Sequence, residues 1–284
     1  MRDDELRTSN YVEDRRGMGG VARGGLGIGA IVVLSLIGWA AGIDPSLLIG
    51  GAEMISGGGD PGQSASGHEG APPDQVGIFV ARVLGETEDV WTQILPRQVG
   101  RQYTKPTLVL YSGITNSGCG TAQSSMGPFY CPIDRKLYLD TSFFQDMQRH
   151  LGGGGNFAYA YVIAHEVGHH VQNLVGLLPK VQETERHSDQ QRANSLSVKT
   201  ELMADCLAGV WAYHMNQRHA NVDDNDLQQA ASTAAAIGDD RLQKVSRGSV
   251  VPDSFTHGSS EQRVWWLSTG LRSGAVQACN TFAN

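Results

Sequence analysis

Apolar positions along this chain change their spacing several times, and each change marks a different kind of element. Val76, Phe79, Val80, Val83 and Leu84 recur at intervals of three and four, and Trp91, Ile94 and Leu95 continue the series. That spacing predicts an amphipathic helix whose stripe packs into a core. Residues 107–111 (Thr-Leu-Val-Leu-Tyr) and 136–139 (Lys-Leu-Tyr-Leu) are short apolar runs with polar flanks, which predict two strands. Helical spacing then returns over 141–150, 157–174, 189–216, 224–245 and 260–271, with no repeat of fixed period. The expected fold class is α+β: a mainly helical domain with a small sheet ahead of its helical half.

Two stretches near the start break this pattern. Residues 24–43 run for twenty positions without a charged side chain and include Ile31-Val32-Val33-Leu34-Ser35-Leu36-Ile37. A helix of that length spans the hydrocarbon core of a bilayer, and Trp39 suits its interface. Arg15, Arg16 and Arg23 precede the run and no cation follows closely, so the positive-inside rule places residues 1–23 in the cytoplasm. Residues 44–74 are rich in Gly, Ser and Pro and read as a tether. The expected plan is a cytoplasmic segment 1–23, a single transmembrane helix 24–43 in the lipid bilayer of the cytoplasmic membrane, a linker 44–74 and an extracytoplasmic (periplasmic) domain 75–284.

Composition adds limits. A chain of 284 residues with 40% apolar content supports one substantial core. Its net charge is −7, and residues 1–43 are balanced at five Arg against five acids, so the excess acid lies in the domain and excludes a nucleic-acid partner. Four cysteines suit disulfides in an oxidising compartment. Of three connectivities, Cys119 with Cys131 and Cys206 with Cys279 are preferred, the first bracketing a Gly-rich loop and the second tying the C-terminus to a helix.

The chemistry concentrates at His165-Glu166-Val167-Gly168-His169. Residues i and i+4 lie one turn apart on one face of a helix, so both imidazoles can reach one ion, and Glu166 beside them can act as base toward a water at that ion. Apolar residues on both sides place the motif in a buried segment, where two imidazoles and a carboxylate without partners would cost several kcal/mol, roughly. A zinc ion (Zn2+) removes that cost. A catalytic zinc needs a third protein ligand and an open position. Glu201, 32 residues beyond His169 on a helix with a packable face, supplies the ligand, and Asp205 one turn later can accept the N–H of His165.

Together, His165-Glu166-Val167-Gly168-His169-His170-Val171-Gln172 and Glu201-Leu202-x-Ala204-Asp205-Cys206-x-Ala208-Gly209-x-Trp211 resemble the bacterial neutral zinc metallopeptidases, the YpfJ-like group. Val12-Glu13-Asp14-Arg15-Arg16-Gly17, Gly127-Pro128-Phe129-Tyr130-Cys131-Pro132 and Thr256-His257-Gly258-Ser259-Ser260-x-Gln262-Arg263 extend the likeness over nearly the whole chain except the tether. The resemblance implies a zincin-like domain with a gluzincin ligand set: His165, His169 and Glu201 on the metal, and Glu166 as catalyst. It implies peptide or protein substrates without identifying one.

Weaker expectations attach to other residues. His257, in a loop ahead of a helix capped by Ser259 and Gln262, is a candidate donor to a developing oxyanion. His170 points about 100° away from His169 around the helix and is read as packing. Arg263, Trp265 and Trp266 are read as packing with a salt bridge. Gly152 to Gly155 lack the following Lys-Ser or Lys-Thr of a phosphate loop. The alternative to an enzyme is a catalytically silent zinc-binding domain that holds a partner protein or peptide at the cell envelope.

Overall fold

The structure is a computed structural model that describes residues 1–17, 67–150, 154–220 and 222–283. Its order is β1 (Val12–Asp14), β2 (His68–Glu69), α1 (Gln75–Val99), β3 (Thr107–Tyr111), β4 (Ile114–Ser117), β5 (Gly120–Gln123), β6 (Phe129–Cys131) and β7 (Lys136–Asp140). There follow α2 (Ser142–His150), α3 (Asn156–Leu174), α4 (Leu177–Arg186), α5 (Gln190–His219), α6 (Asp224–Ala236), α7 (Asp239–Arg247) and α8 (Ser260–Ser273). The α+β class stands, with helices dominant and one small sheet.

The sheet runs β2-β1-β3-β7-β6. β3 pairs in parallel with β7, Leu108 opposite Leu137, and β6 closes the edge antiparallel to β7, Phe129 opposite Tyr138. Alternate residues of β3 serve different cores: Leu108 and Leu110 join the main core with Leu137 and Leu139, whereas Val109 and Tyr111 pack with Ala122, Cys131 and Tyr138. Burial on both faces explains why the run reads as continuously apolar rather than alternating.

α3 is buried along most of its length and packs against α5. The two helices approach at Gly168, where a Cβ would stand 3.0 Å from the Ala204 carbonyl oxygen. α5 in turn meets α8 through glycine on both sides: a Cβ on Gly209 would lie 2.2 Å from the Leu267 carbonyl, and one on Gly270 1.9 Å from that of Cys206. Only glycine permits such contact of helix backbones. The disulfides are Cys119–Cys131 and Cys206–Cys279, as expected.

Three features depart from the sequence reading. The helix expected over 224–245 is two, α6 and α7, parted at Ile237 and Gly238, where a Cβ on Gly238 would meet the Ser260 amide nitrogen at 2.4 Å. α4 was not foreseen, because Leu178 and Val181 are its only buried residues and Pro179 sits in its first turn. The largest departure is at the N-terminus.

Met1–Arg16 forms one compact unit with Gly67–Asn284, so neither the boundary at 23 nor the start at 75 holds. β1 lies inside the sheet, parallel to β3 with Val12 opposite Leu108 and antiparallel to β2 with Asp14 opposite His68. Leu6 and Val12 are buried, the Ser9 amide donates to the Ala81 carbonyl at 2.8 Å, and the arm crosses α1 at Gly85. Ion pairs hold it further: Arg7 to Glu88 at 2.7 Å, Arg82 to Asp3 at 3.1 Å, and Arg16 to Asp74 at 2.5 Å. These pairings put residues 16 and 67 on one side of any membrane. A cytoplasmic N-terminus joined by a single crossing to an extracytoplasmic domain would separate Val12 from Leu108, and that orientation is corrected. The apolar stretch 24–43 and most of the linker lie outside the described residues, and no helix among the described residues is long and apolar enough to cross a membrane.

Candidate active site

α3 carries His165 and His169 on one face, their rings 4.9 Å apart at 86° to each other. The approach of α3 to α5 at Gly168 brings Glu201 against that face: its Oε2 is 3.1 Å from His165 Nε2, and its Oε1 3.3 Å from His169 Nε2. One ligand atom from each of the three residues lies within 4.8 Å of the others. Two imidazoles and a carboxylate converging in a partly buried place are the donor set of a zinc site with an open position.

The far side of each ring decides its tautomer. His165 Nδ1–H donates to Asp205 Oδ1 at 2.8 Å. His169 Nδ1–H donates to Gln172 Oε1 at 3.0 Å, and Gln172 Nε2 donates to the Thr200 carbonyl at 2.7 Å. With both Nδ1 atoms engaged, both Nε2 atoms face Glu201, where a metal ion would take the place of the protons they share with the carboxylate. Gln172 was missed in the sequence, where its position three residues after His169 was the available signal.

Asp205, fully buried, also accepts from Tyr161 Oη at 2.5 Å and from Arg263 Nε and Nη2 at 2.9 and 3.0 Å. Arg263 is therefore the cation that neutralises this buried carboxylate. Burial alone would lower the pKa of His165, but Asp205 and Glu201 more than reverse this and push it up to about 10. Their negative charge calls for a cation at the imidazole face. Burial likewise pushes Glu166 above the usual carboxylate range, with His165 and His169 opposing. Its carboxylate has no hydrogen-bond partner among the described residues, and it lines the cleft beside both imidazoles.

That cleft, of about 540 Å3, is bounded by the β6 segment, α4 and the loop before α8. His257 lies in its wall, half-exposed, with Nδ1 3.3 Å from Asp239 Oδ1. Asp239 also accepts the backbone N–H groups of Thr256, His257 and Gly258 at 2.7, 2.6 and 3.0 Å, which fixes the loop. It begins the helix created by the break at Gly238, and a reading that ran through Gly238 could not find it. The hydrogen bond that His257 donates to Asp239 raises its pKa, burial opposing. His170 stays out of the site: fully buried, it donates from Nε2 to the Thr104 carbonyl at 2.6 Å and accepts at Nδ1 from Tyr130 Oη at 3.0 Å. Trp265, expected to pack, is exposed.

Comparison with known proteins places the chain in a family. A family model described as "Putative neutral zinc metallopeptidase" matches residues 1–282. The chain is 45% identical over 291 residues to "Uncharacterized protein YpfJ" of Escherichia coli (strain K12), covering 99% of each chain. It is 45% identical over 204 residues to "Uncharacterized protein Rv2575" of Mycobacterium tuberculosis (strain ATCC 25618 / H37Rv), covering 68% of this chain and 66% of the relative. No solved structure matches it. A model that spans both the two-histidine helix and the N-terminal arm, with relatives at this identity, settles the assignment: the chain belongs to the neutral zinc metallopeptidase family.

Proposed function

We propose that the protein is a zinc-dependent endopeptidase in which His165, His169 and Glu201 hold the metal and Glu166 is the general base. The observation that carries the reading is the pair of Nε2 atoms turned toward Glu201 by Asp205 and Gln172, beside the Glu166 carboxylate, which has no hydrogen bond among the described residues. A zinc ion held by these three residues would supply a Lewis acid and lower the pKa of water to about 7. Glu166 takes the proton of the attacking water at its carboxylate and passes it to the departing amine nitrogen, so the carboxylate is regenerated as the peptide C–N bond breaks. His257, held by Asp239, donates a hydrogen bond to the oxygen that gains negative charge as the carbonyl is attacked.

The two disulfides favour an oxidising, extracytoplasmic location, and residues 24–43 are apolar enough to associate the protein with a bilayer. The pairing of β1 with β2 and β3 keeps residues 16 and 67 on the domain's side.

The test compares bound zinc and hydrolysis of a broad unfolded substrate for the full chain, Glu166→Gln and Glu201→Ala. Wild type should hold about one zinc, Glu166→Gln should keep it and lose about a hundred- to ten-thousand-fold in kcat, and Glu201→Ala should lose both. Equal zinc in all three with no cleavage would leave a zinc-binding domain without catalysis and remove Glu201 from the ligand set.

A further inference from the structure

α4 lines one wall of the cleft with Leu178, Val181, Gln182 and Glu185. Their spacing of i, i+3, i+4 and i+7 puts them on one helix face. Leu178 and Val181 are buried, while Glu185 lies half-buried about 10 Å along the axis from Leu178. The cleft has two other carboxylates, Glu166 and Glu201, and both belong to the catalytic centre. Its cationic side chains are engaged elsewhere, Arg263 by Asp205 and His257 by Asp239. Among the described residues the Glu185 carboxylate has no hydrogen bond or ion pair, and burial without an opposing cation pushes its pKa up. A partly desolvated carboxylate at the end of an apolar wall is stabilised by a cation brought in by a ligand.

Resting on the peptidase reading of this cleft, we propose that Glu185 selects substrates by pairing with a basic side chain of the bound peptide, whose aliphatic stem lies along Val181 and Leu178. Lysine and arginine combine these two demands, an apolar stem and a charged head. Glu185 is then a specificity residue, remote from the reacting bond.

The experiment uses the full zinc-loaded chain and a peptide series in which Lys, norleucine or Glu is placed in turn at each position flanking one cleavable bond. Norleucine keeps the stem and removes the charge. At one position wild type should prefer Lys over norleucine in kcat/KM, and Glu185→Gln should reduce that preference about tenfold. Glu185→Lys should turn it toward Glu. The same peptides are then bound to zinc-loaded Glu166→Gln protein, with and without Glu185→Gln, and followed by fluorescence anisotropy. No position favouring Lys, or a preference that survives Glu185→Gln, overturns the proposal while any cleavage keeps the peptidase reading. Glu185-dependent binding of the Lys peptide without cleavage by wild type has the opposite result: recognition stands and catalysis falls.

Discussion

Asp205 is tied to His165, Tyr161 and Arg263 at once, so its charge balance and its geometry cannot be altered separately. Asp205→Asn would leave the buried Arg263 without its counter-charge, and we expect a loss of about 3 kcal/mol in stability and a ten- to hundredfold weaker zinc affinity, roughly. Thermal unfolding and chelator competition measure the two, and no change in either would remove Asp205 from the role assigned. His257 makes a pH prediction. Asp239 raises its pKa, so the protonated imidazole persists to higher pH than that of an unpaired histidine and is lost as pH rises through the raised value. The alkaline limb of kcat/KM against pH should therefore move to lower pH in Asp239→Asn. A limb that stays in place assigns it to another group.

At the scale of elements, the arm holding β1 is as much part of the core as the helices. Glu88 is fully buried and depends on Arg7 and Ser9 from the arm, with Lys105 its remaining partner among the described residues at 3.1 Å. Deleting residues 1–16 removes those partners and opens β3 as a sheet edge, so amides of β3 should lose hydrogen-exchange protection and the protein several kcal/mol, roughly. Protection equal to wild type would mean the arm is dispensable. Its attachment is also acid-sensitive. Burial opposes ionisation of Glu13, but Arg15 and Lys136 overcome it and hold the carboxyl at about 2. The stabilisation is complete above the unfolded value near 4.5 and fades as pH falls through about 2; with solvent screening it amounts to ~1 kcal/mol. The disulfides differ by loop length: the Cys206–Cys279 loop spans 73 residues and the Cys119–Cys131 loop 12. Loop entropy assigns them about 4 and 3 kcal/mol, so breaking the first should lower the unfolding midpoint further.

At the scale of the whole molecule, the sheet fixes a topological fact about the chain. With Val12 opposite Leu108 and Asp14 opposite His68, residues 16 and 67 lie side by side in the folded unit. Reporter tags at the N- and C-termini should be found in the same compartment, on the oxidising side if the disulfides form in cells. Tags in opposite compartments would require β1 to be out of the sheet.

The sequence by itself determined which residues meet in the candidate site, and its main frame. His165, Glu166 and His169 were legible because a helix converts a spacing of four into one face, and Glu201 and Asp205 because carboxylates among Leu202, Met203, Ala204 and Leu207 need a reason to be there. The long helices and strands β3 and β7 were legible for the same local reason, their periodicity. Tertiary structure decided what local pattern cannot encode. Gln172 and Asp239 matter through partners brought close by helix packing, Asp239 depends on a break forced by the approach of Gly238 to Ser260, and β1 is three residues whose strand character exists only beside β3. Sequence spacing fixes which side chains share a face; which faces meet is set by long-range packing, and here that packing overturned the topology that charge and hydropathy had suggested.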